Sequence, residues 1–324
     1  MVISRTPFRI SFFGGGTDYR NFFEQYGGSV LSTAFNKFCY VTVREFSPFF
    51  GYKNQLTYSK IERFNNPNEV SHPVVREFLK YKNEDGLQIS YDADLPARSG
   101  LGSSSAFAVG LVNAAGALRG KKYSADYLAD EAIVIERELC RECGGLQDQV
   151  AVAFGGFNRI DFDSLGYHVK PIAASASRLC ELNKNLMLFF SGIRRYSYDI
   201  SIEQNNNVNQ NVSILCEMKQ IVDDAESLLM SDKSMDNFGM LLDDSWNLKK
   251  QLSNKIANPL TDEMYDIAKA HGAIGGKLLG AGGGGFLLLY VPEKSQNSVR
   301  NALKDYVNFP FEFEPTGSSI IYKS

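Results

Sequence analysis

Residues 95–110 read LPARSGLGSSSAFAVG, a strand-like approach, a Gly/Ser turn and then an apolar run with helical spacing. A loop of this kind opens a helix whose first backbone N–H groups have no intrahelical partner, and the macrodipole adds partial positive charge there. An anion such as phosphate is the natural guest, with an ordinary Ser N-cap as the plain alternative. The flanks set the loop in context. Upstream, LQISYDADL and the segments 3–13 and 30–46 are β-branched and aromatic with partial alternation, and predict strands. Downstream, 106–118 and 124–139 carry apolar residues at helical spacing, and GGFNRIDF with YHVKPI returns to strand and turn signals.

Beyond a strand predicted at 185–192, amphipathic helical patterns run from about 198 to 270, followed by strand-like GFLLLYVP, helical SQNSVRNALKDY and strand-like GSSIIYKS. The chain thus reads as α+β, with a boundary between about 165 and 185. Its 324 residues suit one large or two ordinary domains, and 44% hydrophobic with 22% charged residues is a globular composition. A net charge of −3 provides no basic field for nucleic acid, so an anion site must be a local arrangement of donors. No stretch reads as a membrane span, and the N-terminal segment lacks a leader pattern. With five scattered cysteines, a reducing cytoplasm is expected. The C-x-x-C pair Cys140/Cys143 has no second pair or nearby His to complete a zinc set.

Two more glycine-rich stretches accompany the first: FFGGGTDY at 12–19, after the first strand, and KLLGAGGGGFLLLY at 277–290, running into a strand. Glycine allows close backbone approach at an entropic cost, so three such loops point to one ligand gripped from several sides. A dinucleotide fingerprint needs glycines between strand and helix, whereas those of the third stretch precede a strand. No G-x-x-x-x-G-K-[ST] is present, which excludes a Walker-type loop.

RTPFRISFFGGGTDY, LPARSGLGSSSAFAVG and KLLGAGGGGFLLLY resemble, in order and separation, the three motifs of the GHMP kinases. The likeness spans essentially the whole chain. Within that superfamily they are most similar to the branch acting on D-glycero-D-manno-heptose 7-phosphate. The resemblance implies a two-domain fold: a ribosomal-protein-S5-like α/β domain over 1–175 carrying the ATP phosphate loop, and a ferredoxin-like α+β domain over 176–324. It implies ATP and Mg²⁺ as cofactors, a small-molecule sugar phosphate as partner, and phosphorylation of the anomeric hydroxyl.

By that resemblance Asp148 is the catalytic aspartate and Arg9 the arginine facing it. Arg98, Ser99, Gly100, Leu101, Gly102, Ser103, Ser104 and Ser105, with Gly282 and Gly283, would hold the nucleotide. Ser104, or its neighbour Ser103, would bind Mg²⁺ together with Glu136, which galactokinase-like spacing before Asp148 selects. Glu138 lies roughly 200° round the helix and cannot share that face. Gly15, Gly16, Thr17 and Asp18 would meet the sugar; the glycines stand where galactokinase has Glu-His, which disfavours galactose. A 7-phosphate needs a cationic pocket, for which Arg194 and Arg195 in SGIRRYSYDI, Lys37 and Lys60 are the candidates. Three alternatives remain, a 1-kinase for an unphosphorylated sugar such as fucose or another hexose, a non-catalytic kinase-like sugar sensor and, third, a Rossmann-type oxidoreductase, which absence of NAD binding would remove. Oligomeric state is not legible.

Overall fold

The computed structural model describes residues 1–97, 99–193 and 198–324. In chain order the elements are β1 (Val2–Phe13), α1 (Arg20–Tyr26), β2 (Gly28–Glu45), β3 (Asn54–Thr57), β4 (Ile61–Phe64), α2 (Pro73–Lys82), β5 (Leu87–Ala93), α3 (Ser103–Leu118), α4 (Ala125–Ile133) and α5 (Gln147–Phe154). Then come β6 (Phe157–Asp163), β7 (Gly166–Pro171), α6 (Ala176–Lys184), β8 (Leu186–Phe190), α7 (Tyr198–Asn206), α8 (Val212–Leu229), α9 (Asp236–Gln251) and α10 (Pro259–Ala270). β9 (Gly275–Leu278), β10 (Phe286–Tyr290), α11 (Gln296–Ala302), β11 (Val307–Phe309) and β12 (Ser319–Lys323) complete the chain.

Two sheets organise the molecule. The larger runs β12-β1-β2-β5-β3-β4, with β6 added to β2 and β7 to β6; the smaller is β11-β8-β10-β9. The long β2 belongs to three pairings because its first half meets β6 and its second half β5, while β1 runs along most of its other edge. Helix α3, SSSAFAVGLVNAAGAL, is small or apolar on every face and almost entirely buried, as a helix enclosed on all sides must be. Its glycine at 110 lets it approach β1 and β2 closely: a Cβ there would lie 3.1 Å from Ser4 and Thr6 hydroxyls and from Val41.

The halves share one core. Phe238 of α9 meets Phe12 and Phe13 of β1 edge-on, with ring centroids 5.3 and 5.0 Å away. The terminal strand β12 pairs antiparallel with β1, so a division at residue 175 leaves it on the first half's sheet. The expected helix over 124–139 is α-helical only to Ile133; Val134–Leu139 is a π turn, closed by the Cys140 amide donating to the Ile135 carbonyl at 2.9 Å. A π turn re-aims the side chains it carries, and here it carries Glu136.

Candidate active site

The Gly/Ser loop, the first glycine loop and the third glycine loop converge on one cleft of about 220 Å³ between the two sheets' domains. Glycine is required where two of the loops touch. A Cβ on Gly280 would lie 2.5 Å from the Gly100 Cα, one on Gly100 would lie 2.4 Å from the Leu279 carbonyl oxygen, and both residues have positive φ. The backbone-to-backbone contact brings the third loop against the loop that opens α3. Gly102 caps α3 in the left-handed conformation, and the first-turn residues Ser103, Ser104 and Ser105 line the cleft.

Arg9 of β1 joins this loop to α5. Its Nε and Nη2 each donate at 2.8 Å to the Asp148 carboxylate, and Nη1 donates at 2.7 Å to the Gly100 carbonyl. The guanidinium is almost fully buried whereas Asp148 keeps a quarter of its side chain exposed, so the carboxylate faces the cleft with its cation behind it. A fork-on-fork pair of this kind fixes both position and charge.

Glu136, from the π turn, is 1% exposed. It accepts from Ser104 Oγ at 2.6 Å, Ser105 Oγ at 2.7 Å and Gln149 Nε2 at 2.5 Å. Every donor is neutral, and no Lys or Arg ion pair reaches it among the described residues. Nearby, burial and the charge of Glu136 push Glu142 up to about 7, with Arg137 opposing. Arg137 itself donates to the Gly145 carbonyl at 2.9 and 3.2 Å and lines the cleft.

Asp18 is held on the other wall. The Gly16 amide donates to its Oδ1 at 3.0 Å and the Gln147 amide to its Oδ2 at 3.1 Å, while its own carbonyl accepts from the Leu146 amide at 3.1 Å. Gly145 is obligatory beneath it, since a Cβ there would fall 1.9 Å from Oδ2. Burial raises the Asp18 carboxyl above its ordinary value; the two amides oppose the shift and Asp148 adds to it. Ser11 Oγ and Gln147 Oε1 are buried with no hydrogen-bond partner, and both residues line the cleft. Orphaned acceptors beside a carboxylate suit a ligand rich in hydroxyls.

Of the residues singled out in the sequence, Arg9, Gly15, Gly16, Asp18, Gly100, Gly102, Ser103, Ser104, Ser105, Glu136, Asp148 and Gly282 share this cleft. Others lie elsewhere, for local reasons. The Thr17 hydroxyl donates to the carbonyls of Gly14 and Ser29 at 2.8 and 2.9 Å, strapping its loop to β2 rather than facing a ligand. Leu101 is in the hydrophobic core, its carbonyl accepting from the Arg9 amide. Ser99 is buried behind the loop, against Gly285. The Gly283 amide is taken by the Ile256 carbonyl at 2.8 Å. Lys37 sits in the bulge where the pairing skips from Pro7↔Phe38 to Phe8↔Phe35, and Lys60 is exposed between β3 and β4; neither lines the cleft. Arg98, Arg194 and Arg195 lie outside the described residues.

Among the cleft residues that escaped the sequence reading, beside Ser11, Arg137, Glu142 and Gln147, are two buried lysines. Lys249 of α9 and Lys277 of β9 are buried, with Lys249 donating to the Gly280 carbonyl and Lys277 Nζ donating to the Phe12 carbonyl at 2.7 Å. Burial and Arg9 lower Lys249 to about 8 against the pull of Asp18 and Asp148, and burial, Lys249 and Arg9 lower Lys277 well below its ordinary value. Lys249 was findable: with Leu242, Ser245, Trp246 and Leu252 it lies on the buried stripe of its helix.

Comparison with known proteins places this architecture. Residues 68–156 match the model for the GHMP kinases N terminal domain, and residues 225–308 that for GHMP kinases C terminal. The D-glycero-alpha-D-manno-heptose 7-phosphate kinase of Campylobacter jejuni is 29% identical over 94% of each chain. The bifunctional fucokinase/GDP-fucose pyrophosphorylase of Arabidopsis thaliana is 25% identical over 94% of this chain and 31% of its own length. Among solved structures, a D-glycero-D-manno-heptose 1-phosphate kinase from Bacteroides thetaiotaomicron superposes over the full length of both chains with a TM-score of 0.81 at 24% identity.

Proposed function

We propose, from the premise that this chain belongs to the GHMP kinases, that it transfers the γ-phosphoryl group of ATP to the anomeric hydroxyl of D-glycero-D-manno-heptose 7-phosphate. The products would be the 1,7-bisphosphate and ADP. The observation that carries the reaction type is the Arg9–Asp148 pair, a partly exposed carboxylate held at two 2.8 Å bonds beside a helix start able to bind phosphate. The substrate class is supported by the Campylobacter jejuni relative, and by Asp18 with the orphaned Ser11 and Gln147 oxygens.

In this reading the amides at the start of α3 hold the donor's phosphates. Asp148 accepts the proton of the anomeric hydroxyl as that oxygen forms its bond to the γ-phosphorus, and the bond from that phosphorus to the bridging oxygen breaks, releasing ADP. Arg9 holds Asp148 in place and aims it. Asp18 accepts from sugar hydroxyls. Ser104 and Glu136 fit Mg²⁺: both offer hard oxygen ligands, and the buried carboxylate has only neutral partners. Mg²⁺ there would neutralise charge on the phosphates.

A second reading, a 1-kinase for an unphosphorylated sugar, is favoured by the likeness to the Arabidopsis fucokinase over most of this chain. ADP release measured on a panel of D-glycero-D-manno-heptose 7-phosphate, the unphosphorylated heptose, mannose, fucose and mevalonate separates the two. The proposal expects kcat/KM for the 7-phosphate to exceed that for the free heptose by at least about tenfold, the equivalent of one charge-assisted contact. Equal or reversed preference rejects it in favour of the second reading.

A further inference from the structure

Four cations and four carboxylates line the cleft, Arg9, Arg137, Lys249 and Lys277 against Asp18, Glu136, Glu142 and Asp148, yet neither buried lysine is paired with a carboxylate among the described residues. Arg9, Lys249 and Lys277 meet there, while Asp148 is already committed to Arg9, and Asp18 is held by two backbone amides. Lys249 and Lys277 are 6% and 2% exposed, and among the described residues neither makes an ion pair. Each ammonium has three N–H donors. Lys277 fills one, on Phe12, and Lys249 two, on Gly280 and, at 3.5 Å, Leu278. Burying an ammonium without a counter-ion is costly; Lys277 relieves that cost by its strongly lowered basicity, and Lys249 is the ammonium that an anion from outside completes.

Position decides which anion. The charged groups acting on Lys249 are Arg9 of β1, Asp18 of the following loop and Asp148 of α5, with Lys277 of β9 behind. These are the groups at which donor and acceptor meet. Lys249 donates to the Gly280 carbonyl, and Gly280 lies against Gly100, whose carbonyl accepts from Arg9, so the ammonium is tied to the Arg9–Asp148 pair and the phosphoryl group in transfer is the guest its position favours. We propose that Lys249 is a catalytic residue that donates to the oxygens of the phosphoryl group in transfer, with Lys277, held on the Phe12 carbonyl, as a positioning residue behind it. The inference rests on the kinase reading above, not on which sugar is the acceptor. It extends that reading because charge spread over the equatorial oxygens of a phosphoryl group in transfer is what fixed donors stabilise most.

The test compares Lys249→Met and Lys249→Arg with wild type, with Lys250→Met on the same helix as control. Lys249→Met should lower kcat by about 10²–10³-fold, the usual effect of losing one preorganised donor, with sugar KM within about threefold. Lys249→Arg should recover part of the rate. Wild-type kcat/KM should fall above about pH 8 as the ammonium is lost, and the Arg variant should lack that limb. A readout free of turnover is calorimetry with ADP and with the β,γ-imido analogue of ATP: Lys249→Met should weaken the triphosphate about tenfold and leave ADP unchanged, which also certifies folding. An unchanged kcat, a rise confined to sugar KM, or equal weakening of both nucleotides overturns the proposal. Failure of the heptose reading is separate: it appears in wild type as preference for another sugar, on which the same comparison is then made. Should wild type turn over no sugar, the nucleotide titrations decide alone.

Discussion

Replacing Asp148 by Asn keeps the shape of the side chain and removes two things. It removes the proton acceptor, and it replaces one of two charge-assisted bonds from Arg9 by an amide N–H facing a guanidinium N–H. The first loss is kinetic: a positioned acid–base group contributes about 10²–10⁴ in rate, so kcat should fall at least a hundredfold. The second loss is structural, because Arg9 is buried at 3% exposure and would keep its charge without its counter-ion. One-sided removal of a buried pair costs about 3–5 kcal/mol, but Asp148 is a quarter exposed and solvent screens part of that, so about 1–3 kcal/mol is expected.

The assay has three arms. Coupled ADP release gives kcat and sugar KM, calorimetry gives ATP affinity, and thermal unfolding gives the stability loss, at about 2–4 °C per kcal/mol for a chain of some two hundred residues and less for this longer one. ATP affinity should stay within about threefold, since in the proposed reading it is the residues that open α3, and not Asp148, that hold the phosphates. If Arg9 and Asp148 act as one unit, the double variant Arg9→Met with Asp148→Asn should be no slower than the slower single variant. A kcat within tenfold of wild type for Asp148→Asn would refute the assignment outright. A multiplicative fall in the double variant would refute the coupling.

Gly145→Ala should raise sugar KM by at least about tenfold with little effect on ATP affinity, because a methyl placed 1.9 Å from Asp18 Oδ2 must displace that carboxylate; unchanged steady-state sugar KM would show that Asp18 does not touch substrate. Thr17→Val should cost about 1–3 kcal/mol in denaturant unfolding while kcat stays within about twofold, since its hydroxyl joins Gly14 and Ser29 and faces no ligand. Lys249 titrates near 8 in the fold against an ordinary 10.5, so the unfolded chain binds the extra proton between those values and stability rises with pH across that window. Lys249→Met should therefore be more stable than wild type below pH 8, by roughly 3 kcal/mol at most, with the gain gone above pH 10.5; thermal melts at pH 7 and 10 that show no such convergence would contradict the shift.

What could be read in the sequence was whatever local chemistry determines. The Gly/Ser loop before α3 announces a helix start because the capping and dipole effects act within a few residues. The strand at 286–290 and the helices between 198 and 270 follow from periodicity alone. Thr17 shows where that reasoning ends: the same side chain that could meet a sugar instead satisfies Ser29, which is brought beside it only when β2 folds back along β1. Lys37 falls in a bulge of that same pairing and does not line the cleft, and no local signal in the chain marks a bulge of this kind. Gly283 lost its amide to Ile256, a partner from a different loop.

The third glycine loop and the buried lysines belong to one arrangement. Gly280 must be glycine because Gly100 lies against it, and the Gly280 carbonyl is where Lys249 donates. The contact that sets the third glycine loop against the Gly/Ser loop therefore also places the Lys249 ammonium in the cleft. Widening it with a side chain at Gly280 would shift both at once. The cost of keeping Lys249 charged is borne in a fold whose Phe12, Phe13 and Phe238 cluster already ties the two domains together, and Lys277, held by the Phe12 carbonyl, sits at that same seam. Stability and charge placement thus meet at the domain boundary: the aromatic contacts bind the halves, and the glycines allow the backbones to approach until the cations of the second half reach the carboxylates of the first.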